Sequence, residues 1–317
     1  PIMQVGAVPV FVDIDIPSYN MDMSMLEKAY SNKTKAVFIA HSLGNPFNLK
    51  AAKEFCDSHN LWLIEDNCDG LGGTYELDGV TYKTGTIGDI GTSSFYPAHQ
   101  MTMGEGGAVY SSNPLLHKII RSMRDWGREC VCTGGQDNLC GHRFDGQFGT
   151  LPAGYDHKYV YSHLGYNLKV TDMQAAIGAA QLKKLPGFVK ARQEHWDYLR
   201  AGLDDMKDYY ILPEKEKSSE PCWFGFILTV KPESGKNRNE IVKFLEDNNI
   251  QTRNLFAGNI TRHPCFEQFR EGVDYRIAET LEVTDHVMNN SFWVGVYPGM
   301  TTPMLDEMIK KIKEAVQ

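Results

Sequence analysis

The chain has 317 residues, of which 42% are hydrophobic and 23% charged, and its formal net charge is -8. That length suits a large domain with a smaller one, in ordinary globular composition. The acidic balance argues against a general nucleic-acid surface, and no apolar run reaches the roughly 18 residues of a membrane span.

In chain order, the apolar run 10–14 predicts a short strand and residues 24–30 a helix. Ala36–Ala40 predicts a buried strand, followed by the turn-rich His41-Ser42-Leu43-Gly44-Asn45-Pro46. A helix over Leu49–His59 leads into a strand over 61–66, with further strands expected at 91–96 and 107–110. Alternating strands and helices with short loops predict βαβ units and a mostly parallel sheet. Residues 115–126 predict a helix with a basic face. The segment 127–155 is long, aperiodic and rich in Gly, Cys, Asp and Asn, which points to a special role. Helices follow over 170–182 and 188–206, the second of them expected to join two domains. A strand at 224–230, a helix at 237–248 capped by Asn237, a strand at 291–296 and a helix at 303–316 predict a small α+β domain. The division expected is a large domain over 1–186 and a linking helix with a small domain over 187–317. No basic segment leads into an apolar run at the start, so a cytoplasmic location is expected.

There are seven cysteines, and an odd number argues against a disulfide framework. Cys130, Cys132 and Cys140 share one loop in a C-x-C-x7-C spacing. By spacing alone they are free thiols, zinc ligands or iron–sulfur ligands. Cys68 is the candidate fourth member, because it stands two residues after Asp66. Cys56 belongs to an apolar helix face, and Cys222 and Cys265 read as structural.

Asp66 ends an apolar strand, where carboxylates of parallel sheets face the ligand crevice. Ser93 and Ser94 could hold an anion or cap a turn. Residues 102–107 read as a loop in which backbone approaches something closely. His99 sits between these features. Histidine titrates near neutrality and so can act as a proton carrier. It cannot form an imine.

Together, Pro9-Val10-Phe11-Val12-Asp13, residues 40–46, Glu65-Asp66-Asn67-Cys68-Asp69, Gly88-Asp89 and residues 94–107 resemble the DegT/DnrJ/EryC1/StrS family of fold-type I pyridoxal phosphate enzymes. Gly165-Tyr166-Asn167-Leu168-Lys169, residues 172–178 and Thr252-Arg253 extend the match over the whole chain. The resemblance implies an aspartate aminotransferase-like α/β fold, with a mostly parallel sheet in the large domain. It implies that Asp66 pairs with the pyridine nitrogen, that Ser94 touches the cofactor phosphate, and that Asn167 reaches the phosphate from the other subunit of a homodimer. His41 lies at a strand end nearby, as a cofactor contact or as a packed histidine. Arg253 resembles a substrate-side anion contact or is an interface arginine. Residues 156–159 fall in the same region without an assigned role.

The family's cofactor lysine is replaced here by His99. That departure is similar to the 3-dehydrase subgroup, and most to its iron–sulfur members acting on CDP-4-keto-6-deoxyhexoses. The resemblance then implies an untethered pyridoxamine 5'-phosphate and a [2Fe-2S] cluster on Cys68, Cys130, Cys132 and Cys140. His99 would be the base in a C3 dehydration giving a glucoseen adduct. A flavin- and iron–sulfur-containing NAD(P)H-dependent reductase would then reduce it, on the way to dideoxysugars of lipopolysaccharide O-antigen. The alternatives are an iron-free GDP-4-keto-6-deoxymannose 3-dehydrase and a sugar aminotransferase. Relative to the Cys68–Cys130 spacing of the subgroup, residues 77–83 look like an insertion. The resemblance also implies a preceding segment bearing a Gly-Ser/Thr phosphate loop.

Overall fold

In the computed structural model, residues 1–130, 132, 136 and 138–317 are described. Residues 131, 133–135 and 137, within the expected cluster-bearing loop, lie outside the described residues.

Ala36–Ala40, Trp62–Asp66 and Ile90–Ser94 pair in parallel, and Gly107–Tyr110 closes the sheet antiparallel. Ala40 is level with Asp66, and Asp66 with Thr92, so the crevice residues share one edge. The crossover helix Leu49–His59 starts where the Asn48 side chain accepts from the Ala51 N–H, and stops at Asn60 in the left-handed region (φ 53°). It buries Leu49, Ala52 and Cys56 against Val37, Ile39 and Leu63. Each of the Leu, Val and Ile side chains contributes roughly 1.5–3 kcal/mol when fully buried. The expectation of a buried strand at Ala36–Ala40 needs correcting. The strand is buried on one face only, and its Phe38 and the neighbouring strand's Trp62 remain 42% and 46% exposed.

A second, antiparallel sheet runs in the order Thr252–Arg253, Ser291–Gly295, Gly225–Val230 and Tyr210–Ile211. Trp196 and Leu199, from the helix Leu185–Gly202, pack on Phe226, Leu228 and Phe292 of this sheet, and Leu305 and Ile312 of Thr302–Glu314 complete the cluster.

Three local expectations change. Residues 10–14 give only a two-residue strand, Val10–Phe11, parallel to Arg276–Ile277. Asp13 leaves the strand because its carboxylate accepts the N–H groups of Val283 and Thr284, the otherwise unpaired donors that begin the helix Glu282–Asn290. The helix expected at 24–30 is a 3-10 turn, Met23–Met25, running into a single turn, Leu26–Ala29. Residues 77–83 belong to a hairpin, Thr74–Leu77 with Val80–Lys83, whose Asp78-Gly79 corner has φ of 50° and 79°. Two positive φ values make the primed turn that suits a twisted hairpin.

Candidate active site

Asp66 ends its strand half-buried, and its Oδ1 accepts from the Cys68 N–H at 3.1 Å and the Thr92 hydroxyl at 3.2 Å. Across the crevice, Ser94 Oγ accepts the Tyr96 N–H at 3.2 Å, which folds the chain into the loop carrying His99. The His99 N–H in turn donates to the Tyr96 carbonyl at 3.0 Å.

The His99 ring stacks on Phe224, with centroids 5.2 Å apart, and meets the Tyr96 ring edge-on. Its Nδ1 stands 3.3 Å from Asp69 Oδ1, and both side chains are largely buried. The approach lacks hydrogen-bond alignment, so Nδ1 is a buried nitrogen without a bonded partner among the described residues. The carboxylate is nonetheless close enough to offset positive charge that forms on the ring during a proton transfer. Asp69 was not singled out by sequence reasoning. Its signal was a second carboxylate three residues after Asp66.

The loop is tied down from behind. Arg192, only 3% exposed, donates to the His99 carbonyl at 3.3 Å, to the Trp223 carbonyl at 3.1 Å and to the Val296 carbonyl. Gln100 donates to the carbonyls of Asp69 and Cys222. His99, Asp69 and Phe224 therefore reach one place from three separate segments, held by buried polar groups rather than by loop stiffness.

His41 lies beneath this layer. Its Nε2 is 3.1 Å from Glu65 Oε2, both side chains are fully buried, and its ring stacks on Phe47. Glu65 also accepts the N–H groups of Gly85, Ile87 and Gly88. Burial alone would raise its carboxyl, but the hydrogen bond and charge of His41, with the Gly88 and Gly85 amides, hold it below the usual range. This placement favours the packed histidine over the cofactor contact expected for His41.

Arg253 is exposed, and its guanidinium donates to the carbonyl of Thr252. It lines a cleft of about 1090 Å³ together with Tyr96, Ala98, Phe224, Phe256 and Trp293. The cleft therefore opens beside the His99 loop. Asn167 is exposed, in a run with Leu164, Tyr166 and Leu168 that is also exposed, and its side chain accepts from Lys169.

The thiols divide into two places. Cys68 stays in the crevice, where burial, the hydrogen bond to Asp66 and the charges of Asp69 and Asp66 push its thiol well above the ordinary range. Cys130 and Cys132 instead meet His157, with their donor atoms all within 4.8 Å of one another. Cys140 Sγ lies 3.6 Å from His157 Nε2. Thiol and imidazole donors suit iron or zinc; Cys68 and Cys140 stand outside this three-residue group. Cys56 and Cys222 are buried and Cys265 is exposed.

The model of the DegT/DnrJ/EryC1/StrS aminotransferase family matches residues 1–313. The chain belongs to that family. It is 55% identical over 314 residues to the lipopolysaccharide biosynthesis protein RfbH of Salmonella typhimurium, covering 99% of this chain and 70% of that protein. It is 49% identical over 316 residues to the dTDP-4-dehydro-2,6-dideoxy-D-glucose 3-dehydratase of Saccharopolyspora spinosa, covering 100% of this chain and 66% of that one. The chain thus spans about two thirds of these relatives' length. Among solved structures, the E. coli GDP-4-keto-6-deoxy-D-mannose-3-dehydratase with bound hydrated PLP superposes with a TM-score of 0.83 at 26% identity, covering 100% of this chain and 76% of that one. The family fold is the expected fold-type I, aminotransferase-like architecture. Among the described residues, no helix is long and apolar enough to cross a membrane.

Proposed function

We propose that this chain carries the reacting centre of a pyridoxamine phosphate-dependent 3-dehydratase of nucleotide-linked 4-keto-deoxyhexoses. The observation that carries the reading is His99, stacked on Phe224 and beside Asp69, in a stretch with no lysine between Lys83 and Lys118. A family enzyme that transfers amino groups needs a lysine to tether the aldehyde form of its cofactor. A base without a tether suits the amine form.

The residues fit that cofactor. Asp66 ends its strand with a carboxylate half-buried in the crevice, placed for a ring nitrogen, and charge-assisted pairing there keeps the ring protonated. The Ser94 hydroxyl, which accepts the Tyr96 N–H, keeps its own proton to offer to a phosphate. When bound, the pyridoxamine ring supplies an amine for the C4 ketone and an electron sink for loss of the C3 hydroxyl. With the cofactor bound, His99 would take a proton from its C4' carbon and give one to the departing C3 oxygen, so that the hydroxyl would leave as water. Asp69 steadies the imidazolium between these transfers. Phe224 fixes the ring plane and keeps water from that face. Arg253 stands in the adjoining cleft, where a nucleotide diphosphate would lie. Asn167, on an exposed face with Leu164 and Leu168, supports a homodimer in which it serves the partner's cofactor.

The reading extends to an iron–sulfur centre at the 127–155 loop and a partner reductase, supported by the convergence of Cys130, Cys132 and Cys140 on His157. The iron-free alternative is supported by the likeness to the GDP-linked 3-dehydratase structure and by the position of Cys68 outside that group. Anaerobic assay of the full-length protein with CDP-, dTDP- and GDP-linked 4-keto-6-deoxy sugars, with iron quantified in parallel, tests both. Loss of the C3 hydroxyl with one nucleotide supports the dehydratase. Amino-sugar product overturns it.

A further inference from the structure

Tyr110 ends the strand Gly107–Tyr110 and stands opposite Gly91 in the neighbouring strand Ile90–Ser94. Its ring lies across Gly91, where an added Cβ would overlap the ring carbons. A Cβ on Gly85 would likewise overlap the phenol oxygen. Two glycines thus open a slot that a side chain at either position would close.

The slot brings three polar groups together behind the cofactor crevice. Tyr110 OH lies 3.0 Å from Ser93 Oγ, and Asn67 Nδ2 donates to both hydroxyls at 3.4 Å. Asn67 and Ser93 are almost fully buried. Asn67 Oδ1 has no bonded partner among the described residues, so this buried amide depends on the two hydroxyls. A phenylalanine would fill the slot as well; the hydroxyl is the part that calls for a role.

Each partner adjoins a proposed cofactor contact: Asn67 follows Asp66, and Ser93 precedes Ser94. Successive side chains of a strand point to opposite faces, so Ser93 holds the back of the sheet where Ser94 serves the front. The Asn67 N–H donates to the Thr92 carbonyl at 2.9 Å, which continues the pairing of Asp66 with Thr92. We propose that Tyr110 is a positioning residue for the cofactor. Its hydroxyl, held between Ser93 and Asn67, fixes the spacing between the Asp66 carboxylate and the Ser94 hydroxyl. The inference rests on the preceding reading of Asp66 and Ser94, and adds to it a residue from the back of the sheet.

The phenol is itself held in place. The Ser111 hydroxyl donates to the Asp89 carbonyl at 2.6 Å, and the Asp89 carboxylate accepts the Leu63 N–H at 2.8 Å. The Gly85 N–H donates to Glu65 at 2.7 Å, which keeps Gly85 against the ring. A rigid ligand that is gripped at a ring nitrogen and at a phosphate gains both contacts together only when their spacing is set beforehand.

The test measures binding of pyridoxamine 5'-phosphate to the cofactor-stripped full-length protein by calorimetry, with Tm and circular dichroism recorded for each variant. Tyr110→Phe keeps the ring and should weaken binding about fivefold, with the fold intact. Ser93→Ala removes the other hydroxyl and should give the same loss, and the two changes together no more than either alone. In a Ser94→Ala background, Tyr110→Phe should have no further effect, because one end of the grip is already gone. Unchanged affinity in Tyr110→Phe or in Ser93→Ala would overturn the proposal, whatever the Tm. So would an undiminished effect of Tyr110→Phe in the Ser94→Ala background, which would mark a packing role. Failure of the unaltered protein to bind pyridoxamine 5'-phosphate would overturn the cofactor reading itself, and this inference with it.

Discussion

His99 Nδ1 lies 3.3 Å from Asp69 Oδ1 while the imidazole face rests on Phe224. A base that must accept a proton and return it needs a nearby negative charge and a fixed ring plane. Asp69 and Phe224 supply one each, from segments 155 residues apart in sequence (224 - 69).

Replacement of His99 by Asn should therefore remove proton transfer without dismantling the crevice. Turnover should fall by about 10²–10⁴, while the absorption spectrum of bound cofactor persists. A variant that keeps more than a tenth of the rate would assign the proton to another group.

Asp69→Asn keeps the shape and removes the charge. The expected result is a fall in kcat of roughly tenfold or more with little change in KM, since the carboxylate acts through His99 on the transition state. Equal loss in both parameters, with a lowered Tm, would reduce Asp69 to a packing role.

Glu65 predicts an acid-sensitive step in stability. Its folded pKa is depressed, so its contribution is present above the unfolded value of about 4.3 and is lost as pH falls through the folded value. Thermal melts from pH 6 downward should show Tm falling below about pH 4.3, with a shallower fall in Glu65→Gln. At neutral pH, Glu65→Ala strands His41 and three amides and should cost about 3–5 kcal/mol. A melting profile in Glu65→Gln identical to the parent's across that range would remove the Glu65–His41 pair from the account of stability.

The parallel strands were legible because Ala36–Ala40 and Trp62–Asp66 carry compact apolar runs bounded by turn residues. The hairpin at 74–83 was not, because both strands are four residues long and the second, Val80–Lys83, is exposed throughout, although Asp78-Gly79 carried a turn signal. The helix Glu282–Asn290 has no side-chain cap of its own and borrows one from Asp13, a partner 270 residues away in sequence. Asp66, Ser94 and His99 could be found from one local stretch and its resemblance. Asp69, Arg192 and His157 act through partners set by tertiary folding, which sequence spacing does not name.

Arg192 offers a separate check on that tertiary support. Arg192→Leu leaves the carbonyls of His99, Trp223 and Val296 without a donor, at about 1–3 kcal/mol for each that water cannot reach. Both Tm and turnover should fall. In Gly79→Ala, by contrast, strain at φ 79° should lower stability by about 1 kcal/mol with unchanged turnover, since a Cβ there meets nothing within 4 Å. Impaired turnover in the hairpin variant would contradict that separation.

The central claim is reversible loss of the C3 hydroxyl under control of His99. It is tested most directly by incubating the full-length protein, loaded with pyridoxamine phosphate, with a nucleotide-linked 4-keto-6-deoxy sugar in ¹⁸O-water and no reductase. The recovered sugar is reduced with borohydride and the label located by mass fragmentation. The account predicts ¹⁸O at C3, absent in His99→Asn, with no amino sugar formed. An amino sugar with an unlabelled C3 oxygen would contradict it.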